Sequence, residues 1–262
     1  MTMRAKRPAP PNGQIQSVDR AIGILKTFGL QAQEQTLGQI AERVGLSKPT
    51  TYRLIATMRQ HGLISQRDDT KTYSLGSEFL VFAAIRSRQS GLLDLAIPVI
   101  RQIRDKVNET TSLAIRVGDV RVNMHQLESL QAVRRGAYSG EPSPLYAGAS
   151  KLLLAFMGDG DIAGYMARTT FQPFTATTIT QPDLLWREIR KIRKRGYAES
   201  RHERFVGAAS LAAPVRDSVS GVVAAIYASI PVERYTKVLR QLCLEALLDG
   251  AARVSTELGY RG

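Results

Sequence analysis

The chain has 262 residues, 44% of them hydrophobic and 23% charged; that balance supports a packed core and excludes a wholly disordered or collagen-like polymer. At ordinary domain sizes this length makes one or two domains. Lys and Arg number 36 against 23 Asp and Glu, a net charge of +13, which calls for a polyanionic partner, nucleic acid or an anionic membrane surface, without choosing between them.

The basic excess is denser towards the N-terminus. Residues 1–90 hold 13 Lys and Arg against 6 Asp and Glu, and the remainder hold 23 against 17. Residues 1–15 carry Pro8, Pro10, Pro11 and Gly13 with almost no apolar side chain, which predicts a flexible basic arm. They lack the apolar centre of a signal peptide. No apolar run approaches the ~20 residues that span a bilayer. Cys243 is the single cysteine, so no intrachain disulfide and no cysteine-based zinc site can form. A cytoplasmic protein is expected.

From Ser17, a suitable N-cap, the residues Val18, Ala21, Ile22, Leu25 and Phe28 predict a first helix. Thr36 caps a second, with Leu37, Ile40, Ala41 and Val44 as its apolar stripe. Gly45 ends it by taking a left-handed conformation. Ser47 starts a third helix, in which Pro49 is tolerated because first-turn N–H groups have no helical partner. Leu54, Ile55 and Met58 form its inner face. Leu63–Gln66 and Thr72–Leu75 predict a hairpin around Asp68–Lys71. Together residues 16–76 read as helix, helix, turn, helix, hairpin.

Residues 77–91 have helical spacing and predict a linker. Residues 92–262 have a different texture. A long helix is expected over Leu92–Val107, with Pro98 imposing a kink or a later start. Strands are expected at Ser112–Val117 and Arg121–Leu127, and a third at Ala132–Tyr138. A helix follows over Lys151–Met157 and another over Asp183–Arg195. Two strands, Ser210–Val215 and Val222–Ile230, precede a final helix over Val232–Leu258.

The second and third helices carry the chemistry. Ala41 is small where two helices must cross, and Gly45 permits the tight turn. The third helix then offers Ser47, Lys48, Thr50, Thr51, Tyr52 and Arg53 near its N-terminus. Hydroxyls and cations at that end, with a core-anchored opposite face, are what a recognition helix brings to a major groove. Tyr52 stands either beside these groups or packed inward. The hairpin serves as a wing, with Arg67 and Lys71 set to meet the phosphate backbone.

Residues 16–21 with Ile24-Leu25, the run Leu37–Leu54, and Tyr73-Ser74-Leu75-Gly76 resemble the DNA-binding half of the IclR family of bacterial transcription regulators. The resemblance continues through Pro144–Ser150, Arg195-Gly196-Tyr197 and Ala212–Val215. It implies an α+β protein: an N-terminal winged helix-turn-helix, a linker helix and a C-terminal GAF-like effector-binding domain. It also implies a homo-oligomer, either a dimer or a dimer-paired tetramer, bound to operator DNA and to a small-molecule effector. Carried onto this chain, the effector pocket falls on Gly148, Ala149 and Ser150, with Ser210, Tyr227 and Ser229 from the C-terminal strands. Loop N–H groups beside the helix at Lys151 could hold a carboxylate. The chain departs from the family at Ser200 and Ser210, where many members have Asp and Cys. Lys151 also follows Ser150 directly, and Tyr227 sets a ring where small residues are common. These departures argue against a small oxo-acid and for an aromatic or larger ligand.

No enzyme, metal or cofactor is expected. His61, His125 and His202 do not cluster, and Asp159 and Asp161 flank Gly160 as in a turn. No metalloprotease, nucleophile-elbow or phosphate-loop motif is present. Cys243 sits among leucines as a core thiol. The basic helix Trp186–Arg195 is expected to be a solvated outer face, with Trp186 as a core or subunit-contact anchor.

Overall fold

The computed structural model describes residues 15–29, 32–134, 142–219 and 221–261, with 86–90 described by backbone alone. The chain divides into two compact units, residues 1–89 and 90–262. The predicted basic arm lies outside the described residues except for Ile15, which is exposed.

In the first unit, α1 spans Gln16–Leu25, α2 Leu37–Val44 and α3 Lys48–Gln60. Thr36 caps α2 through a reciprocal box: its hydroxyl accepts the Gln39 N–H, and the Gln39 side chain accepts the Thr36 N–H at 2.8 Å. Gly45 closes the helix at φ +68°, a conformation costly for any residue with a Cβ. Strands β1 (Ile64–Gln66) and β2 (Tyr73–Leu75) pair antiparallel as the wing. Gln35 adds a separate antiparallel bridge to β2, exchanging both backbone hydrogen bonds with Tyr73.

Ile24, Ile40, Ile55, Met58, Ile64 and Tyr73 form this unit's core. The expected stripe of α1 is corrected here. Val18 and Ile22 are exposed, and Ile24 points inward with Ala21, Leu25 and Phe28 beside it. The helix is apolar on more than one face, so periodicity alone could not choose. Helix α4 (Glu78–Ser90) follows the wing, and Leu80, Val81, Phe82 and Ile85 on it are exposed.

The second unit is built on a six-stranded antiparallel sheet. Its strands are β3 (Thr110–Val117), β4 (Val120–Leu127), β5 (Ser143–Pro144), β6 (Ala198–Arg201), β7 (Ala208–Arg216) and β8 (Val222–Pro231), in the order β5-β4-β3-β8-β7-β6. Period-two alternation sorts the strand residues between two cores. Leu211, Ala213, Val215, Ile226 and Ala228 face helices α5 (Leu92–Val107) and α9 (Lys237–Glu257). Ala212, Ala225 and Tyr227 face the other side, which is covered by α6 (Lys151–Ala155), α7 (Asp159–Arg168) and α8 (Pro182–Arg195). Gly250 lets α9 lie against α5, since a Cβ there would stand 2.7 Å from Ile103 and 2.8 Å from Val99.

The α+β class holds, and several local expectations change. α5 starts at Leu92 and runs through Pro98. Residues 132–134 of the expected third strand are not extended, and 135–138 lie outside the described residues. Asp159 and Asp161 open α7 rather than a turn, where carboxylates suit the positive helix end. Strand β6 comes from a segment too polar to show a strand pattern. The final helix begins at Lys237, capped by Thr236, after a 3-10 turn over 232–234.

Candidate functional site

Two sets of side chains carry candidate chemistry, one in each unit. In the first, α3 presents Ser47, Lys48, Tyr52 and Arg53 to solvent. Lys48 and Arg53 make no ion pair among the described residues. The Ser47 and Thr50 hydroxyls bond each other at 2.9 Å, and Thr50 is half-buried. Thr51 corrects the expectation for this helix. It is 0% exposed, and its hydroxyl donates to the Ser47 carbonyl at 3.0 Å, so it belongs to the core face. Position 51 lies one turn before Ile55, and both point inward.

On the wing, one of the two expected cations is engaged within the protein. Arg67 is held by Asp69 at 2.8 Å and by Glu34 at 3.2 Å. These hydrogen bonds raise the Arg67 pKa, and Arg67 in turn lowers Asp69 to about 2. Both groups are exposed, so the pair adds little stability, but a phosphate would have to compete for Arg67. Lys71 is exposed and makes no ion pair among the described residues.

In the second unit, all six expected effector residues, Gly148, Ala149, Ser150, Ser210, Tyr227 and Ser229, line one cavity of about 140 Å³. Register explains the gathering. Ser210 pairs with Ser229, and Ala212 with Tyr227, across β7 and β8, so alternate residues share one face. Tyr227 is buried, and its hydroxyl donates to Asn123 Oδ1 at 2.8 Å. Ser210 shares a hydroxyl hydrogen bond of 2.8 Å with Ser200. Among described residues the lining further includes Arg121, Ser143, Ser200, Arg204 and Phe205. Sequence reasoning missed Arg121 because a strand arginine at a turn reads as solvated. It is 8% exposed, with its guanidinium carbon 4.6 Å from the Tyr227 ring centre.

One of the loop N–H groups expected to face a ligand is already engaged. The Gly148 N–H donates to Glu203 Oε2 at 3.0 Å, and the other Glu203 oxygen takes the ammonium of Lys151. Lys151 and Glu203 are both buried. An internal carboxylate therefore occupies the Gly148 amide. Glu203 is thereby committed to Lys151 rather than to His202, whose Nδ1 accepts the Gly207 N–H at 3.0 Å. Among the described residues no three His, Cys, Asp or Glu side chains gather as a metal site. Burial pushes the Cys243 thiol up to about 12, assisted by the charge of Glu109; it is no nucleophile.

The basic helix α8 divides by face. Arg193 donates to the Ala155 and Met157 carbonyls and pairs with Asp159. Arg195 pairs with Glu188. Arg187, Arg190, Lys191 and Lys194 are exposed, and Trp186 packs at the edge of the core. No helix among the described residues is long and apolar enough to cross a membrane.

Comparison with known proteins agrees with this two-part geometry. Residues 17–68 match the IclR helix-turn-helix domain, and residues 86–256 match the bacterial transcriptional regulator IclR C-terminal domain. The HTH-type transcriptional regulator BhcR of Paracoccus denitrificans is 29% identical, over 97% of this chain and 91% of its own length. An IclR-type regulator from Silicibacter sp. TM1040 has the same fold, with a TM-score of 0.87 at 23% identity over 94% of this chain and 97% of its own. An IclR homolog from Microbacterium hydrocarbonoxydans, solved with 4-hydroxybenzoate, superposes with a TM-score of 0.81 at 23% identity, over 93% and 99% of the two chains.

Proposed function

The chain belongs to the IclR family of bacterial transcriptional regulators, whose members are regulators rather than enzymes, and from that premise we propose that it reads a specific operator and releases or engages it in response to a small effector. The observation that carries the DNA half is the solvent face of α3. Lys48, Tyr52 and Arg53 are exposed, and make no ion pair among the described residues, on a helix anchored by Thr51, Ile55 and Met58. Ser47 and Thr50 stand on the same helix end, Lys71 is exposed on the wing, and Arg67 joins only by exchanging Asp69 and Glu34 for phosphate. A homo-oligomer, dimer or dimer-paired tetramer, sets two such helices in successive major grooves of a roughly palindromic site. A cytoplasmic location follows from that role.

The cavity bounded by Gly148, Ala149, Ser150, Ser210, Tyr227 and Ser229 takes the effector, a carboxylate or aromatic metabolite. Its volume supports a compact ligand, since a cavity of about 150 Å³ holds a benzene ring. The 4-hydroxybenzoate bound to the Microbacterium protein is of that size. Regulation requires the effector to bind the DNA-competent and DNA-incompetent states with different affinity.

The test is a gel-shift salt titration with a site selected from random duplexes and with its scrambled version. A specific reader keeps a large affinity ratio between the two as salt rises. Arg53→Ala should weaken binding to the selected site by about 10- to 100-fold with the fold intact. Equal affinity of the wild type for both duplexes would refute the reading.

A further inference from the structure

Among the described residues the cavity wall carries two arginines, Arg121 and Arg204, and no acidic residue. Arg121 is the informative one. It sits at the start of β4 opposite Ser143 of β5, more than nine-tenths buried. No carboxylate among the described residues lies within salt-bridge distance of it. Its contacts are one long hydrogen bond to the Ser143 hydroxyl, 3.4 Å, and the face of Tyr227. Its Nε, although buried, has no hydrogen-bond partner among the described residues. The Ser150 hydroxyl on the same lining is also buried and without a partner among the described residues.

Buried cations are normally paired, and buried donors normally bonded. Elsewhere this unit obeys the rule. Glu109, fully buried, holds Arg234 through two hydrogen bonds of 2.7 Å, and Glu203 holds Lys151. Arg121 is the exception among the buried cations described, and it faces a cavity. The Gly148 amide cannot serve as the anion anchor without displacing Glu203.

We infer that Arg121 is the specificity-determining residue of the effector site, and that it selects a carboxylate of single-ring size whose oxygens take the open Arg121 Nε–H and the Ser150 hydroxyl. The inference rests on the cavity being the effector site. The ligand's anionic group lies at the β4–β5 wall rather than on the Gly148 amide. The ligand's apolar body then lies towards Phe205. The counter-ion that Arg121 lacks among the described residues is thus supplied by the ligand, and the neutral analogue of a ligand leaves the cation without it.

The experiment uses the full chain and has two readouts. The first is calorimetric titration with benzoate, 4-hydroxybenzoate and pyruvate, each beside its neutral amide, on the wild type, Arg121→Met and Arg121→Lys. A bound acid is expected to exceed its amide by about 10- to 100-fold, the worth of charge-assisted hydrogen bonds to a buried cation. Arg121→Met abolishes that preference and Arg121→Lys keeps part of it. The second readout needs no ligand. Replacing an uncompensated buried charge by an apolar side chain of similar length should raise the Tm of the ligand-free protein. A lower Tm in Arg121→Met marks a structural arginine and overturns the inference. Equal binding of acid and amide also overturns it, and leaves the effector reading standing. Binding of none of the six compounds, with DNA binding insensitive to all of them, overturns both.

Discussion

Glu203 and Gly148 lie 55 residues apart in the chain, yet the Glu203 carboxylate accepts the Gly148 N–H at 3.0 Å. The same carboxylate pairs with Lys151, so one acid fixes the loop that borders the cavity. Gly148 sits at φ +67° and leads into the 3-10 turn that ends at Ser150. Removing the acid leaves a buried ammonium without a partner. Glu203→Gln should therefore destabilise the protein by about 3–5 kcal/mol in urea unfolding. The double variant Glu203→Gln with Lys151→Met should recover most of that loss. Equal stability of the single and double variants would show that the pair is not the source.

Thr51 and Tyr52 are neighbours with opposite fates. Thr51→Ala removes a buried hydroxyl bonded to the Ser47 carbonyl, together with a packed methyl. It should cost about 1–2 kcal/mol of stability and leave operator sequence preference unchanged. Tyr52→Ala should leave Tm unchanged and weaken operator binding. The reverse assignment in paired thermal and gel-shift measurements would place the recognition face wrongly on α3.

Gly76 fixes the exit from the wing. A Cβ there would lie 1.9 Å from the Gly62 carbonyl oxygen, which is itself bonded to the Glu78 N–H. The contact is backbone on backbone, so no rotamer relieves it. Gly76→Ala should destabilise the first unit by about 3 kcal/mol or more. Gly23, on α1, has nothing within 4 Å of its would-be Cβ. Gly23→Ala should gain about 0.4–1 kcal/mol through the unfolded chain. Hydrogen exchange of the α3 amides reads both changes.

Burial of Cys243 sets a pH limit. Its thiol is neutral up to about 12 in the folded protein, against 9 for an ordinary cysteine. Below pH 9 both states bind the proton, and stability is unaffected. Between 9 and 12 the unfolded chain binds fewer protons, so stability falls as pH rises, by up to about 1.4 kcal/mol per unit. Urea titrations between pH 8 and 10 should show this slope in the wild type and a shallower one in Cys243→Ala. The native thiol should also stay silent to a thiol reagent until the protein unfolds.

Local signals made much of the architecture legible. Thr36, Gly45 and Pro49 punctuate α2 and α3 with chemistry that does not depend on distant contacts. The alternation in β7 and β8 likewise names its inward residues. α1, α7 and β6 were harder. Val18 and Ile22 satisfy the helical period as well as Ile24 does, and only packing selects among them. β6 is polar because one face of Glu199–Arg201 pairs with Tyr235 and Arg240, a partnership across about 40 residues that no window detects.

The amino-acid sequence by itself determined the two-part plan and the helices of the first unit, while the six loop and strand positions of the cavity came only through the resemblance to the family. Caps, turns and side-chain periodicity are encoded within a few residues of where they act. Tertiary structure alone decided which groups are spent and which are free. Thr51 turns inward, Arg67 is taken by Glu34 and Asp69, and the Gly148 amide is taken by Glu203. Arg121 alone stays buried and uncompensated among the cations described. Availability depends on partners brought from tens of residues away, and burial sets the cost of leaving a charge without one.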